Sequence, residues 1–88
     1  MQCNIKFFGI VQGVGFRERT RRMAKSLNVR GWVRNLMDGS VEAMMQGNPE
    51  DVEALISYCT SQIPDALVTD VAKKYVEEED FYDFKIIK

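Results

Sequence analysis

The sequence predicts a small α+β domain of the ferredoxin-like type, a βαββαβ sandwich in which two helices cover one face of an antiparallel sheet, with a short strand added at the C-terminus. Three observations carry this expectation. The spacing of apolar residues alternates along the chain between the two-residue period of strands and the 3.6-residue period of helices, in that order. Asp38-Gly39 marks a hairpin near the middle. At 88 residues and 10.1 kDa the chain accommodates one domain, residues 1–88, and not two.

The first strand is the β-prone run of Phe7, Phe8, Ile10 and Val11, which begins near Cys3 and stops at Gly13-Val14-Gly15. From Phe16 the period becomes helical, and Phe16, Thr20, Met23, Ala24 and Leu27 fall on one face. Arg17, Arg19, Arg21, Arg22 and Lys25 occupy the rest of that helix, and Asn28 suits the left-handed position that ends it. Residues 29–36 alternate, with Val29, Gly31, Val33 and Asn35 on one side and Arg30, Trp32, Arg34 and Leu36 on the other. Asp38-Gly39 reads as a two-residue turn with positive φ at both positions, and residues 41–46 as the returning strand. Asn48-Pro49 reads as an N-cap and first helical residue, followed by the stripe Val52, Leu55, Ile56 and Cys59, up to Ile63-Pro64. Residues 68–76 are strand-like, but Val68 and Val71 are out of phase, which predicts a bulge. The acids at 77–80 read as a solvated loop, and Phe81, Phe84 and Ile86 as a final short strand.

Composition excludes several classes of function. The chain is 45% hydrophobic and 28% charged with no biased tract, which rules out disorder, collagen and coiled coil. Its longest apolar run, Phe7 to Val11, suits neither a spanning helix nor a secretory signal, so a soluble, cytoplasmic chain without a membrane partner is expected. There is no histidine, which removes His-dependent triads and His-rich metal sites. Cys3 and Cys59 form no C-x-x-C and are expected to be idle thiols, although spacing alone leaves a disulfide between them open.

The net charge of −1 conceals a segregation: residues 1–34 carry eight Lys or Arg against the single acid Glu18, for +7, and residues 35–88 sum to −8. A basic first third beside an acidic remainder favours a small anion over a long polyanion. The segment from Gly9 to Arg17 has the form of an anion cradle, because a glycine-rich strand-to-helix connection exposes unpaired amides at the positive end of a helix. Arg17 falls in the first turn, and its planar fork suits two oxygens of one phosphoryl group. No Lys-Ser/Thr follows Gly15, and the third glycine of a dinucleotide loop is absent, so nucleotide binding is poorly supported.

Val11-Gln12-Gly13-Val14-Gly15-Phe16-Arg17 resembles the signature loop of the acylphosphatase family. Gly31-Trp32-Val33-Arg34-Asn35, with Asp38-Gly39-Ser40-Val41-Glu42, resembles its second signature, and the Phe84-x-Ile86 ending completes a likeness that spans the chain. The resemblance implies a ferredoxin-like fold that hydrolyses the carboxyl-phosphate bond of acylphosphates. It implies that Arg17 and the loop residues Gln12, Gly13, Val14, Gly15 and Phe16 bind the phosphoryl group, and that Asn35 holds the attacking water. Ile10 departs from the pattern, standing where many relatives carry a basic residue.

The chemistry suits these residues without histidine. An acylphosphate departs as a stable carboxylate and needs little general acid, leaving charge neutralisation and water alignment as the tasks. No metal and no cofactor is expected. Asp38 is expected to serve the hairpin and Glu42 to be an outward strand residue, which leaves the phosphoryl oxygen itself as proton acceptor. The expected partners are a small-molecule acylphosphate and inorganic phosphate, as product and inhibitor, with no nucleic acid, and the chain is expected to be a monomer. Two alternatives stand beside this reading. A non-catalytic phosphometabolite sensor would keep Arg17 but have no use for Asn35. A nucleic-acid-binding module of the RNA-recognition type would share the element order, but Arg34 and Leu36 stand where its aromatics belong and the chain is acidic, with pI 5.4.

Overall fold

Alternation in the first strand decides how the molecule is layered. In a computed structural model of residues 1–88, β1 (Gln2–Ile10) buries Cys3, Ile5 and Phe7 on one face, while Asn4, Lys6 and Phe8 look out from the other. Period-two alternation gives this strand one apolar face, which needs a cover. The cover consists of α1 (Phe16–Ser26) and α2 (Pro49–Ser61), which bury Phe16, Thr20 and Ala24, and Val52, Leu55, Ile56 and Cys59 respectively. The core between the layers includes Val33, Val41, Ala43, Met45 and Phe84, and the Phe7 and Phe16 rings meet at 5.3 Å and 55°.

The sheet order is β4-β1-β3-β2-β5, with β2 at Arg30–Asn35, β3 at Val41–Gln46, β4 at Leu67–Tyr75 and β5 at Phe84–Ile86. Each neighbouring pair among the first four strands is antiparallel, as expected, whereas β5 runs parallel to β2, pairing Val33 with Ile86, so the whole sheet is mixed. The expected bulge lies in β4: Phe8 pairs with Asp70 and Gly9 with Val68, leaving Thr69 as the extra residue. Gly9 is required there, because its φ is +122° and a Cβ would stand 2.1 Å from the Leu67 carbonyl oxygen.

The hairpin differs from the two-residue turn expected. Leu36 N–H donates to Ser40 O at 2.9 Å and Gly39 N–H to Leu36 O at 3.2 Å, so the connection has three residues. Only Gly39 has positive φ, at 91°, which is the left-handed residue that closes such a loop after a type I turn. Asn28 takes the left-handed position after α1, with φ 57°. Asn48 precedes Pro49 as the N-cap residue of α2, without a side-chain capping bond. Cys3 and Cys59 are both free and buried, and Cys59, against the Thr20 hydroxyl at 3.3 Å, has its thiol pushed up to about 12 by burial. The acids at 77–80 are exposed, but their backbone is held: Glu79 N–H donates to Gln2 Oε1 at 2.8 Å and Gln46 Nε2 donates to Glu79 O. No helix is long and apolar enough to cross a membrane.

Candidate active site

Between β1 and α1 the backbone turns twice through left-handed conformations, at Gly13 (φ 77°) and Gly15 (φ 74°). A Cβ at either position would meet nothing within 4 Å, so these glycines serve the bend and not a close approach. Gly15 is the N-cap of α1 and supplies no side-chain cap, and its carbonyl accepts the first helical bond from Arg19 N–H at 3.1 Å. The amides from Gln12 to Glu18 donate to no acceptor within the protein. A run of free amides at a helix start concentrates partial positive charge in one concavity. That concavity, of about 220 Å³, is lined by Gly13, Gly15, Phe16, Arg17, Glu18 and Ile86.

Charge around it is arranged so that Arg17 stays free. Glu18 in the same first turn would compete for Arg17 and repel an anion, but Arg21 grips it with two bonds of 2.8 and 2.7 Å and Arg22 adds a third at 2.9 Å. Hydrogen bonds from Arg21 and then Arg22 lower the Glu18 carboxyl to about 2. The part of Arg21 and Arg22 in holding Glu18 follows from their i,i+3 and i,i+4 spacing. Arg17 makes no ion pair and no side-chain hydrogen bond, while Arg19 is exposed.

The Gln12 side chain is committed elsewhere. Its Nε2 donates to Leu36 O at 2.8 Å and to Ser40 O at 2.9 Å, tying the glycine loop to the hairpin, so only its backbone N–H is left without an acceptor. Sequence reasoning grouped Gln12 with the phosphate ligands and missed this bridge, since nothing local to residue 12 reveals a partner 24 positions away.

Asn35 ends β2 beside that hairpin. It shares a sheet face with Val33, whose parallel partner Ile86 lines the concavity, although Asn35 itself is not part of the lining. Its Oδ1 is buried and has no hydrogen-bond partner in the protein. An unpaired buried acceptor costs stability, so it marks a position shaped by something other than packing.

Neither nearby carboxylate is a competent base. Asp38 accepts from Ser40 Oγ at 2.5 Å and Ser40 N–H at 3.0 Å, and these bonds hold its carboxyl below the usual range. Burial alone would raise Glu42, but hydrogen bonds from Asn4 at 3.1 Å and Arg34 at 2.8 Å outweigh it and leave the group lowered. Glu42 faces the open side of the sheet as expected, but it is paired there and mostly covered. Trp32, on the same open face, carries the Arg34 guanidinium over its ring at 5.3 Å. A larger concavity, of about 710 Å³, lies at the opposite end of the sheet among Asn28, Arg30, Gln46 and the loop at 78–82. It contains none of the expected site residues, and Asp51, Glu78, Glu79 and Asp80 in its lining disfavour an anion.

Comparison with known proteins agrees with this geometry. The acylphosphatase family model matches residues 3–86. The acylphosphatase of Thermococcus kodakarensis is 47% identical over 87 residues, spanning 99% of this chain and 96% of its own. The crystal structure of acylphosphatase from Bacillus subtilis superposes with a TM-score of 0.94 at 31% identity, covering 99% of this chain and 98% of that one. An acylphosphatase from Coxiella burnetii gives 0.93 at 34% identity, covering 98% and 90%. With its glycine loop, its free arginine and these relatives matched nearly end to end, the chain belongs to the acylphosphatase family of hydrolases.

Proposed function

We propose that the chain hydrolyses acylphosphates to a carboxylate and inorganic phosphate by in-line attack of a water positioned by Asn35 on a phosphoryl group held by Arg17 and the loop amides. The observation that carries this reading is the unbroken run of free amides from Gln12 to Glu18 closing on an unpaired Arg17. Phosphoryl transfer needs charge stabilisation and alignment more than covalent help. The amides and Arg17 neutralise the equatorial oxygens, and Arg17 grips two of them in one plane. Asn35 orients that water through its side-chain amide, which can donate to one group and accept from another without adding charge to the site.

The water loses its proton late, to a phosphoryl oxygen. Asp38 and Glu42 are poor acceptors for it, because the hydrogen bonds that lower their carboxyls leave them weak bases. The leaving carboxylate is stable as formed. Inorganic phosphate, being both product and a ligand for the same cradle, inhibits competitively, and the enzyme works as a cytoplasmic monomer.

Spectrophotometric hydrolysis of benzoyl phosphate, with and without a chelator, tests the reading. Turnover that survives the chelator is expected. Phosphate binding without turnover would favour a phosphometabolite sensor using the same loop.

A further inference from the structure

The concavity at the start of α1 has two unlike sides. Loop amides and Arg17 make one; Ile86, 38% exposed, makes the other. Met37, in the hairpin that Gln12 ties to the loop, is fully exposed and packs against nothing. Of the six exposed large apolar residues in the molecule, Ile10, Met37, Leu67 and Ile86 stand at this end of the sheet, where β1 and β5 finish, β4 begins and β2 turns into β3. Side chains left this open contribute little to the core, and Ile86, which lines the concavity itself, puts an apolar surface beside the amides.

Several cations of the chain are engaged or turned away, whereas Arg19 makes no ion pair. Arg21 and Arg22 hold Glu18, Arg34 holds Glu42, and Lys85 lies on the opposite sheet face as the partner of Trp32.

Resting on the hydrolysis proposed above, we infer that Ile86 and Met37 form the acyl-binding side of the site and give this chain a preference for larger apolar acyl groups. Ile86 supplies a fixed wall, set by its pairing with Val33. Met37, unbranched and unpacked, adapts to acyl groups of different shape.

The test compares kcat/KM for benzoyl, acetyl and succinyl phosphate in the native protein and in Ile86→Ser, Met37→Ser and Ile86→Lys, with the inhibition constant of inorganic phosphate measured alongside. Removing a half-exposed apolar wall should lower the benzoyl-to-acetyl ratio about three- to tenfold in Ile86→Ser and about two- to threefold in Met37→Ser. Ile86→Lys should raise succinyl relative to acetyl phosphate by about tenfold, through a new charge pair. The phosphate inhibition constant should stay within about threefold in the two Ser variants, because phosphate has no acyl group to lose contact with. Turnover with unchanged ratios in all three variants overturns this inference alone, as does an equal loss on every substrate with a lowered melting temperature. Absence of turnover on all three substrates in the native protein refutes the hydrolysis reading and this one with it.

Discussion

Gln12→Ala tests whether the glycine loop is positioned from the hairpin. The substitution removes two neutral hydrogen bonds, to Leu36 O at 2.8 Å and Ser40 O at 2.9 Å, each contributing about 0.5–1.5 kcal/mol. Neither carbonyl is orphaned, since Leu36 O keeps Gly39 N–H at 3.2 Å and Ser40 O keeps Leu36 N–H at 2.9 Å. No desolvation penalty is therefore added, and the expected loss is about 1–2 kcal/mol. For a domain of this size that lowers Tm by about 5–15 °C. The same bridge sets where the loop amides point, and a displacement of an ångström costs up to about a hundredfold in rate. Thermal melts, phosphate calorimetry and benzoyl phosphate kinetics should together show a lower Tm, weaker phosphate binding and a kcat/KM down by about ten- to a hundredfold. Gln12→Glu should be worse than Ala at neutral pH, because a carboxylate has no donor to offer two carbonyl oxygens. A lowered Tm with phosphate affinity and kcat/KM unchanged would refute the positioning role and leave Gln12 as a staple for the hairpin alone.

Arg17→Lys should cost roughly ten- to several-hundred-fold in kcat/KM, nearly as much as Arg17→Ala, because charge remains but the two-point grip is lost; near-native kinetics would mean that charge alone suffices. Asn35→Ala should lower kcat by about a hundredfold while phosphate affinity by calorimetry stays within a few-fold, the pattern of an interaction made mainly in the transition state. Preserved turnover with a lowered Tm would make Asn35 a hairpin residue only. Glu18 has its pKa depressed from 4.5 to about 2, so its favourable pairing with Arg21 and Arg22 is complete above about pH 4.5 and fades as pH falls through 2; carboxyl chemical shifts should report a midpoint near 2, and a midpoint near 4.5 would show that these pairs do not persist. Gly31→Ala should fail to fold or lose more than about 3 kcal/mol in denaturant unfolding, since its φ is +138° and a Cβ would stand 1.8 Å from the Met44 carbonyl oxygen; Gly13→Ala, with open space around it, should lose only about 1–2 kcal/mol.

Element order, the faces of both helices and the glycine-loop cradle were legible in the sequence because each is written in local spacing. Phe16, Thr20 and Ala24 bury where a 3.6-residue period puts them, Val33 and Val41 where a period of two does, and Gly13 and Gly15 bend before a helix start that chain order alone supplies. Even the bulge at Thr69 was visible as a break in phase between Val68 and Val71. What tertiary structure decided is what depends on residues distant in sequence. The parallel set of β5 brings Ile86 to the mouth of the cradle, Gln12 spends its side chain on the Leu36 and Ser40 carbonyls, and Asn35 is left with a buried oxygen that no protein donor reaches. Hydrophobic period reports which way a side chain faces; it carries no information on which distant donor, acceptor or edge strand will stand opposite. Those pairings are chosen only when the sheet closes, because each unpaired polar group must then find a partner, water or a ligand.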